Sequence, residues 1–166
     1  MEADFKLRPY KESDLNFIRN SWAKSYYKGA EYVDFLSPNE FNEKHRPIRE
    51  EILNRPNIAL VVACSANEQD LILGWILVEK PSRGTTLHYL YVKKAFKKEG
   101  VFDELLEKTL KDPPVMVTHM TDRASKIIAA KADRFKDFVW SKEQIMLRDK
   151  YKHVLKGEKC SMSGKK

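Results

Sequence analysis

TTLHYLYVKKAFKKEGVFDELLEKTL, the stretch from Thr85 to Leu110, decides the fold. Its first part reads as a strand, with Thr86, His88, Leu90 and Val92 on one face and Leu87, Tyr89 and Tyr91 on the other. The β-branched and aromatic content suits a half-buried extended segment. After Gly100 the period changes, and Val101, Phe102, Leu105, Leu106 and Leu110 recur at helical spacing. A lysine-rich turn with one glycine joins strand to helix. Such a junction gathers unpaired backbone N–H groups and the positive end of a helix dipole at one spot, which favours phosphate.

Upstream, Phe5 to Arg8 reads as a short strand closed by Pro9, and Ser13 as the cap of a helix carrying Leu15, Ile18 and Trp22. Ser37-Pro38-Asn39-Glu40 has the form of a capping box with proline at the first helical position. Pro47 is expected to break or restart that helix, whose apolar face continues through Ile48, Ile52 and Leu53. Ile58–Cys64 and Leu71–Glu79 read as an antiparallel hairpin across a polar turn, with Gly74 marking a bulge or a close packing contact. Downstream, Val115–Met120 reads as another strand, and Thr121 or Asp122 as the cap of a helix through Ala132. Phe138-Val139-Trp140 and Ile145-Met146-Leu147 are short apolar groups able to close the sheet edge. The order is β-α-α-β-β-β-α-β-α-β: an antiparallel meander, then a strand-helix-strand crossover. That implies an α+β protein of three layers, with helices on both faces of a mixed central sheet.

A chain of 166 residues suits a single domain, assigned to residues 1–150, with 151–166 as a basic and flexible tail. The formal charge is +7, of which the tail holds +4. No aromatics interleave with the tail lysines, so the charge argues for a solvated terminus rather than a nucleic-acid arm. The longest apolar run, Ile58–Cys64, is far short of a bilayer span, and no charged-then-apolar leader opens the chain. Cys64 and Cys160 form neither a disulfide framework nor a metal-spaced pair, which points to a reducing cytoplasm and no metal.

The spacing from Val92 through Lys97-Lys98-Glu99-Gly100-Val101-Phe102 to the paired Leu105 and Leu106 resembles the GCN5-related N-acetyltransferases. The opening L-R-P-Y-K-E-S-D-L resembles their first strand and helix. In that family the turn cradles the pyrophosphate of acetyl-coenzyme A on backbone amides. The resemblance therefore implies acetyl-coenzyme A as co-substrate, an amine acceptor and direct acyl transfer. Lys97 stands where the family has Arg or Gln, and Phe102 where it has a small residue. The helix from Thr121 lacks the tyrosine with which many members protonate the departing thiolate; that position falls near Ile128.

The resemblance implies a cofactor site of Leu90, Val92, Lys93, Lys94, Lys97, Lys98, Glu99, Gly100, Val101 and Phe102. The same lysines also fit a solvated helix entry. His88 is the candidate base, since an imidazole titrates near neutrality; the alternative is a hydrogen-bonded sheet histidine. His119, at the end of its strand, is the second candidate. Tyr26 and Tyr27 lie where the family builds its acceptor wall, although aromatic core packing accounts for them equally. A non-catalytic binding or structural protein of this fold, similar to some bacteriophage virion or accessory components, is the rival reading.

Overall fold

A computed structural model describes residues 4–30 and 32–140. A six-stranded mixed sheet runs in chain order: β1 (Phe5–Pro9), β2 (Ile58–Ser65), β3 (Ile72–Glu79), β4 (Thr85–Val92), β5 (Val115–Val117) and β6 (Phe138–Trp140). The first four strands pair antiparallel, while β4–β5 and β5–β6 are parallel. Helices α1 (Leu15–Gly29) and α2 (Pro38–Leu53) cover one face, and α3 (Val101–Thr109) and α4 (Asp122–Ala130) cover the other. The α+β layering expected from the element order is the one observed. Ile145-Met146-Leu147 and the 151–166 tail lie outside the described residues.

Two buried clusters flank the sheet. Ile18, Trp22, Tyr26, Phe41, Ile52, Trp75, Leu77 and Tyr89 fill the α1/α2 side. Leu73, Ile76, Val78, Leu87, Val92, Val101 and Leu105 fill the α3 side. Helix α2 opens on the expected capping box, in which Ser37 Oγ accepts from the Glu40 amide and the Glu40 carboxylate accepts from the Ser37 amide.

Two expectations about helices need correction. Pro47 does not break α2, which runs through it without interruption. One missing backbone bond costs less than exposing the stripe of Phe41, His45 and Ile52, which is buried on both sides of the proline. Ser13 does not cap α1; a 3-10 turn at Glu12–Asp14 precedes the helix. There the Asp14 carboxylate accepts from the Lys11 amide at 2.7 Å and from Arg8 at 2.7 and 3.1 Å. Those hydrogen bonds from Arg8 hold the Asp14 carboxyl below its ordinary value.

Strand β4 does not keep the alternation its sequence suggests. Leu77 pairs with Tyr89 but Val78 pairs with Leu87, so His88 is an extra residue in a β-bulge. Past the bulge the faces exchange. Leu87 lies on the α3 side with Leu90 and Val92, whereas Tyr89 and Tyr91 lie on the α1/α2 side. His88 bonds Glu79, which alternation from Leu77 places on that same α1/α2 side. The expected sharing of a face by His88 and Val92 is thereby overturned.

A second bulge falls at Leu73, where Ala63 pairs with Gly74 but Cys64 pairs with Ile72. A Cβ on Gly74 would stand 2.6 Å from the Tyr91 carbonyl oxygen and 3.3 Å from Val92 Cα. Both expectations for this glycine, a bulge and a close approach, meet at one place. Gly74→Ala is expected to lower the unfolding free energy by about 1–3 kcal/mol, because rigid backbone has to move. Urea denaturation checks it, and a change under about 0.5 kcal/mol contradicts the packing argument.

Candidate functional site

Beyond Leu87–Val117 and the Thr118 amide bond to the Leu87 carbonyl, β4 and β5 pair no further. The bulge turns β4 away at the point where β5 ends, and a cleft opens between them. Leu87, Tyr89, Leu90, Val117 and His119 form its strand-side wall, with Phe102 and Leu106 of α3 and Ala124 and Ile128 of α4 opposite. The cleft encloses about 50 Å³, room for a few waters. Its outer wall, α4, has no fully buried residue.

At one end of the cleft stands the N-terminus of α3. Gly100 adopts φ +79°, a left-handed conformation that favours glycine, and open space surrounds the place of its missing Cβ. The first backbone bond of α3 runs from the Glu104 amide to the Gly100 carbonyl, so the amides before it carry no intrahelical partner. Burial, with Arg123 and Lys94 adding repulsion, lowers the Lys97 ammonium below its ordinary value. Arg123 comes from the first turn of α4, so cations of two helix entries converge where both dipoles are positive. Unpaired amides and positive side chains gathered in this way favour an anion. Sequence reading missed Arg123 because nothing local ties it to Lys97.

The expected cofactor residues divide. Leu90 and Phe102 line the cleft, while Val92 and Val101 are buried core beneath it. Lys97 joins the cation group; Lys94 reaches it from a 3-10 turn at Lys94–Phe96, and Lys98 is exposed. Glu99 sits in the turn, its amide bonded to the Phe96 carbonyl. Lys93 turns away: its ammonium lies 5.0 Å over the Phe17 ring and its amide bonds the Leu73 carbonyl. Tyr26 is a buried core ring, 5.0 Å from His45 and His119, and Tyr27 donates to the Leu36 carbonyl. Neither tyrosine is among the residues lining the cleft.

His119 is the histidine of the cleft wall; His88 is buried behind it. His88 Nε2 lies 2.7 Å from Glu79 Oε1, and its Nδ1 lies 2.9 Å from Thr118 Oγ1. Thr118 Oγ1 in turn is 2.8 Å from His119 Nδ1. Burial pushes the Glu79 carboxyl up, but hydrogen bonds from His88 and Arg55 outweigh it and hold the group below its ordinary value. Burial pushes His88 down, and Glu79 only partly opposes it. His119 is pushed well down by burial and by the neighbouring His45, His88 and Arg49. His45 is lowered to about 3 by burial beside Arg49, whose guanidinium lies 3.1 Å from His45 Nδ1. All three imidazoles are therefore neutral at neutral pH.

Among the described residues no group of three or more His, Cys, Asp or Glu is placed to hold a metal ion. No helix among them is long and apolar enough to cross a membrane.

No protein-family model matches the sequence, and no curated protein matches it. Solved structures do. A candidate acetyl transferase from Pyrococcus furiosus superposes with a TM-score of 0.55 at 18% identity, over 83% of this chain and 82% of that one. The PaiA N-acetyltransferase of Thermoplasma acidophilum, solved in complex with coenzyme A, gives 0.47 at 17% identity over 78% and 74%. The second superposition is too loose to argue from; the first shows a shared fold. The chain thus shares the fold of the Pyrococcus furiosus protein, an α+β layering of the kind its element order led us to expect.

Proposed function

We propose that the protein is an acetyl-coenzyme A-dependent N-acetyltransferase of the GCN5-related family. The carrying observation is the cleft between β4 and β5 ending at the anion site of Gly100, Lys97 and Arg123. A diphosphate fits there by charge and by the unpaired amides of α3. The thioester arm belongs in the cleft, and the fit is tight: Phe102 lines it, and 50 Å³ does not hold a pantetheine arm. Outward movement of α4 supplies the room.

In the reaction an acceptor amine attacks the thioester carbonyl carbon, the C–S bond breaks, and the sulfur leaves as thiolate to take a proton from water. The amine's own proton passes to the histidines of the cleft, His119 in its wall and His88 behind it. Positioning of thioester and amine, together with proton removal, carries the catalysis. Tyr26, buried in the aromatic cluster, supports the acceptor side through its ring contact with His119.

Millimolar acetyl-coenzyme A is expected to raise the thermal midpoint by several degrees, since a ligand at a hundredfold its Kd adds about 2.7 kcal/mol. Gly100→Glu should abolish the rise by setting a carboxylate at the α3 N-terminus and straining φ. Phe102→Ala should retain or enlarge it. No shift in the unaltered protein defeats the enzyme reading and leaves a binding or structural component with this fold.

A further inference from the structure

The contacts around His88 fix more than a position, because each of them constrains the next. Glu79 is ionised and can only accept, so His88 Nε2 carries a proton and donates at 2.7 Å. His88 is neutral, so its Nδ1 is an acceptor and takes the one hydroxyl proton of Thr118 at 2.9 Å. With that proton committed, Thr118 Oγ1 accepts from His119 Nδ1 at 2.8 Å. Neutral His119 is then left with Nε2 as a bare lone pair, on a ring that lines the cleft. Four side chains from β3, β4 and the two residues just past β5 thus form one row with a single direction.

We propose that Glu79, His88, Thr118 and His119 act as a directional proton path, in which His119 Nε2 accepts the proton of the acceptor amine and Glu79 receives it at the far end. This rests on the acetyl-transfer reading. The amine N–H proton moves to His119 Nε2, the Nδ1 proton to Thr118 Oγ1, the hydroxyl proton to His88 Nδ1, and the His88 Nε2 proton to Glu79 Oε1. One proton enters and one arrives; the charges of the three middle groups are unchanged, while both imidazoles exchange tautomer and return to the starting row when the hydrogen bonds reverse. Glu79 is 21% exposed and passes its proton to water at the sheet edge. His119 is the catalytic residue of this path; Thr118, His88 and Glu79 act through it and are positioning residues.

The charged surroundings fit that direction. His45 and Arg49 of α2 face His119, and their repulsion, like that of His88, opposes a lasting imidazolium there. Arg55, just past α2, bonds Glu79 Oε1 at 2.9 Å and the Glu51 carboxylate at 2.9 and 3.0 Å. Arg55 thus keeps Glu79 ionised at rest, so a proton that reaches Glu79 is not held there and passes on to water.

Two measurements on the full chain test the path. Long-range ¹H–¹⁵N spectra of the histidine rings at pH 7.5 should show His119 protonated on Nδ1 and His88 on Nε2. The opposite tautomer at either ring, or a charged His88, overturns the proposal whether or not acetyl transfer occurs. In kinetics, Thr118→Val should cut kcat on the order of 10²-fold at unchanged KM for acetyl-coenzyme A. Thr118→Ser should restore it. Glu79→Gln, which keeps an acceptor without charge, should lower kcat and move the acidic limb of the pH profile downward. Wild-type kcat and an unmoved limb in both Thr118→Val and Glu79→Gln overturn the path. A missing thermal shift with acetyl-coenzyme A defeats the acetyl-transfer reading instead, and the spectra still decide the direction of the row.

Discussion

The unfolding free energy is expected to collapse below pH 6.5, falling by about 3 kcal/mol per pH unit from His45 and His119 together. Both are buried and neutral in the fold, with pKa values depressed from 6.5, His45 to about 3. The sign follows from proton counts. Below pH 6.5 the unfolded chain protonates these imidazoles and the native state does not, so acid favours unfolding. Their stabilisation is complete above pH 6.5 and is lost as pH falls toward the folded values. His88, also depressed, adds to the slope until its own folded value is reached. Asp14 and Glu79, held below 3.8 and 4.5, contribute only at lower pH and do not blur the window between 5 and 6.5. Urea titrations at pH 7.5, 6.5, 5.5 and 5.0 measure it directly. Uptake of fewer than one proton on unfolding at pH 5.5 would show that these rings are not neutral in the fold.

The second large effect is a loss of about 3–5 kcal/mol for Trp22→Ala, against a total stability of about 5–15 kcal/mol for a domain. Trp22 is completely buried at the joint of α1, α2 and the sheet. Its ring stacks on Tyr89 at 5.7 Å and 17°, and lies 5.8 Å from Trp75 and 5.3 Å from His119. Such a space, walled by helix and sheet, does not collapse on removal of the ring. The indole N–H has no hydrogen-bond partner among the described residues, so Trp22→Phe forfeits no bond and should recover most of the loss. Tyr89 and His119 line the cleft above it, so the alanine variant should also show a weaker thermal shift with acetyl-coenzyme A. A loss under about 1.5 kcal/mol for Trp22→Ala contradicts this account of the core.

Local chemistry made much of the fold legible. The Ser37/Glu40 capping box, the Thr121 cap of α4 and the left-handed Gly100 before α3 each depend on residues within a few positions of one another. So does the change of period between Thr85 and Leu110, from which both the crossover and the acetyltransferase-like turn were read. Element order followed, because each apolar stripe admits few partners. Pro47 was misjudged for the complementary reason: its local penalty was plain, but the tertiary burial that outweighs it was not.

The candidate site was legible only in outline. Lys97 and Gly100 stand where the turn placed them, yet Arg123, which completes the cation group, arrives from α4. His88 was picked out by residue type and strand position, but its face was read from an alternation that the bulge interrupts. One extra residue opposite Leu77 and Val78 reverses every side chain beyond it, and no period in the sequence announces that. The partners that give His88 its tautomer are Glu79, nine residues away, and Thr118, thirty residues away. The sequence by itself determined which segments become strands and helices and where a glycine-containing turn joins β4 to α3, since those depend on near neighbours along the chain. Only the tertiary structure decided that the strands part at His88 and that His119 rather than His88 faces the opening. These depend on backbone register and on contacts between residues distant in sequence.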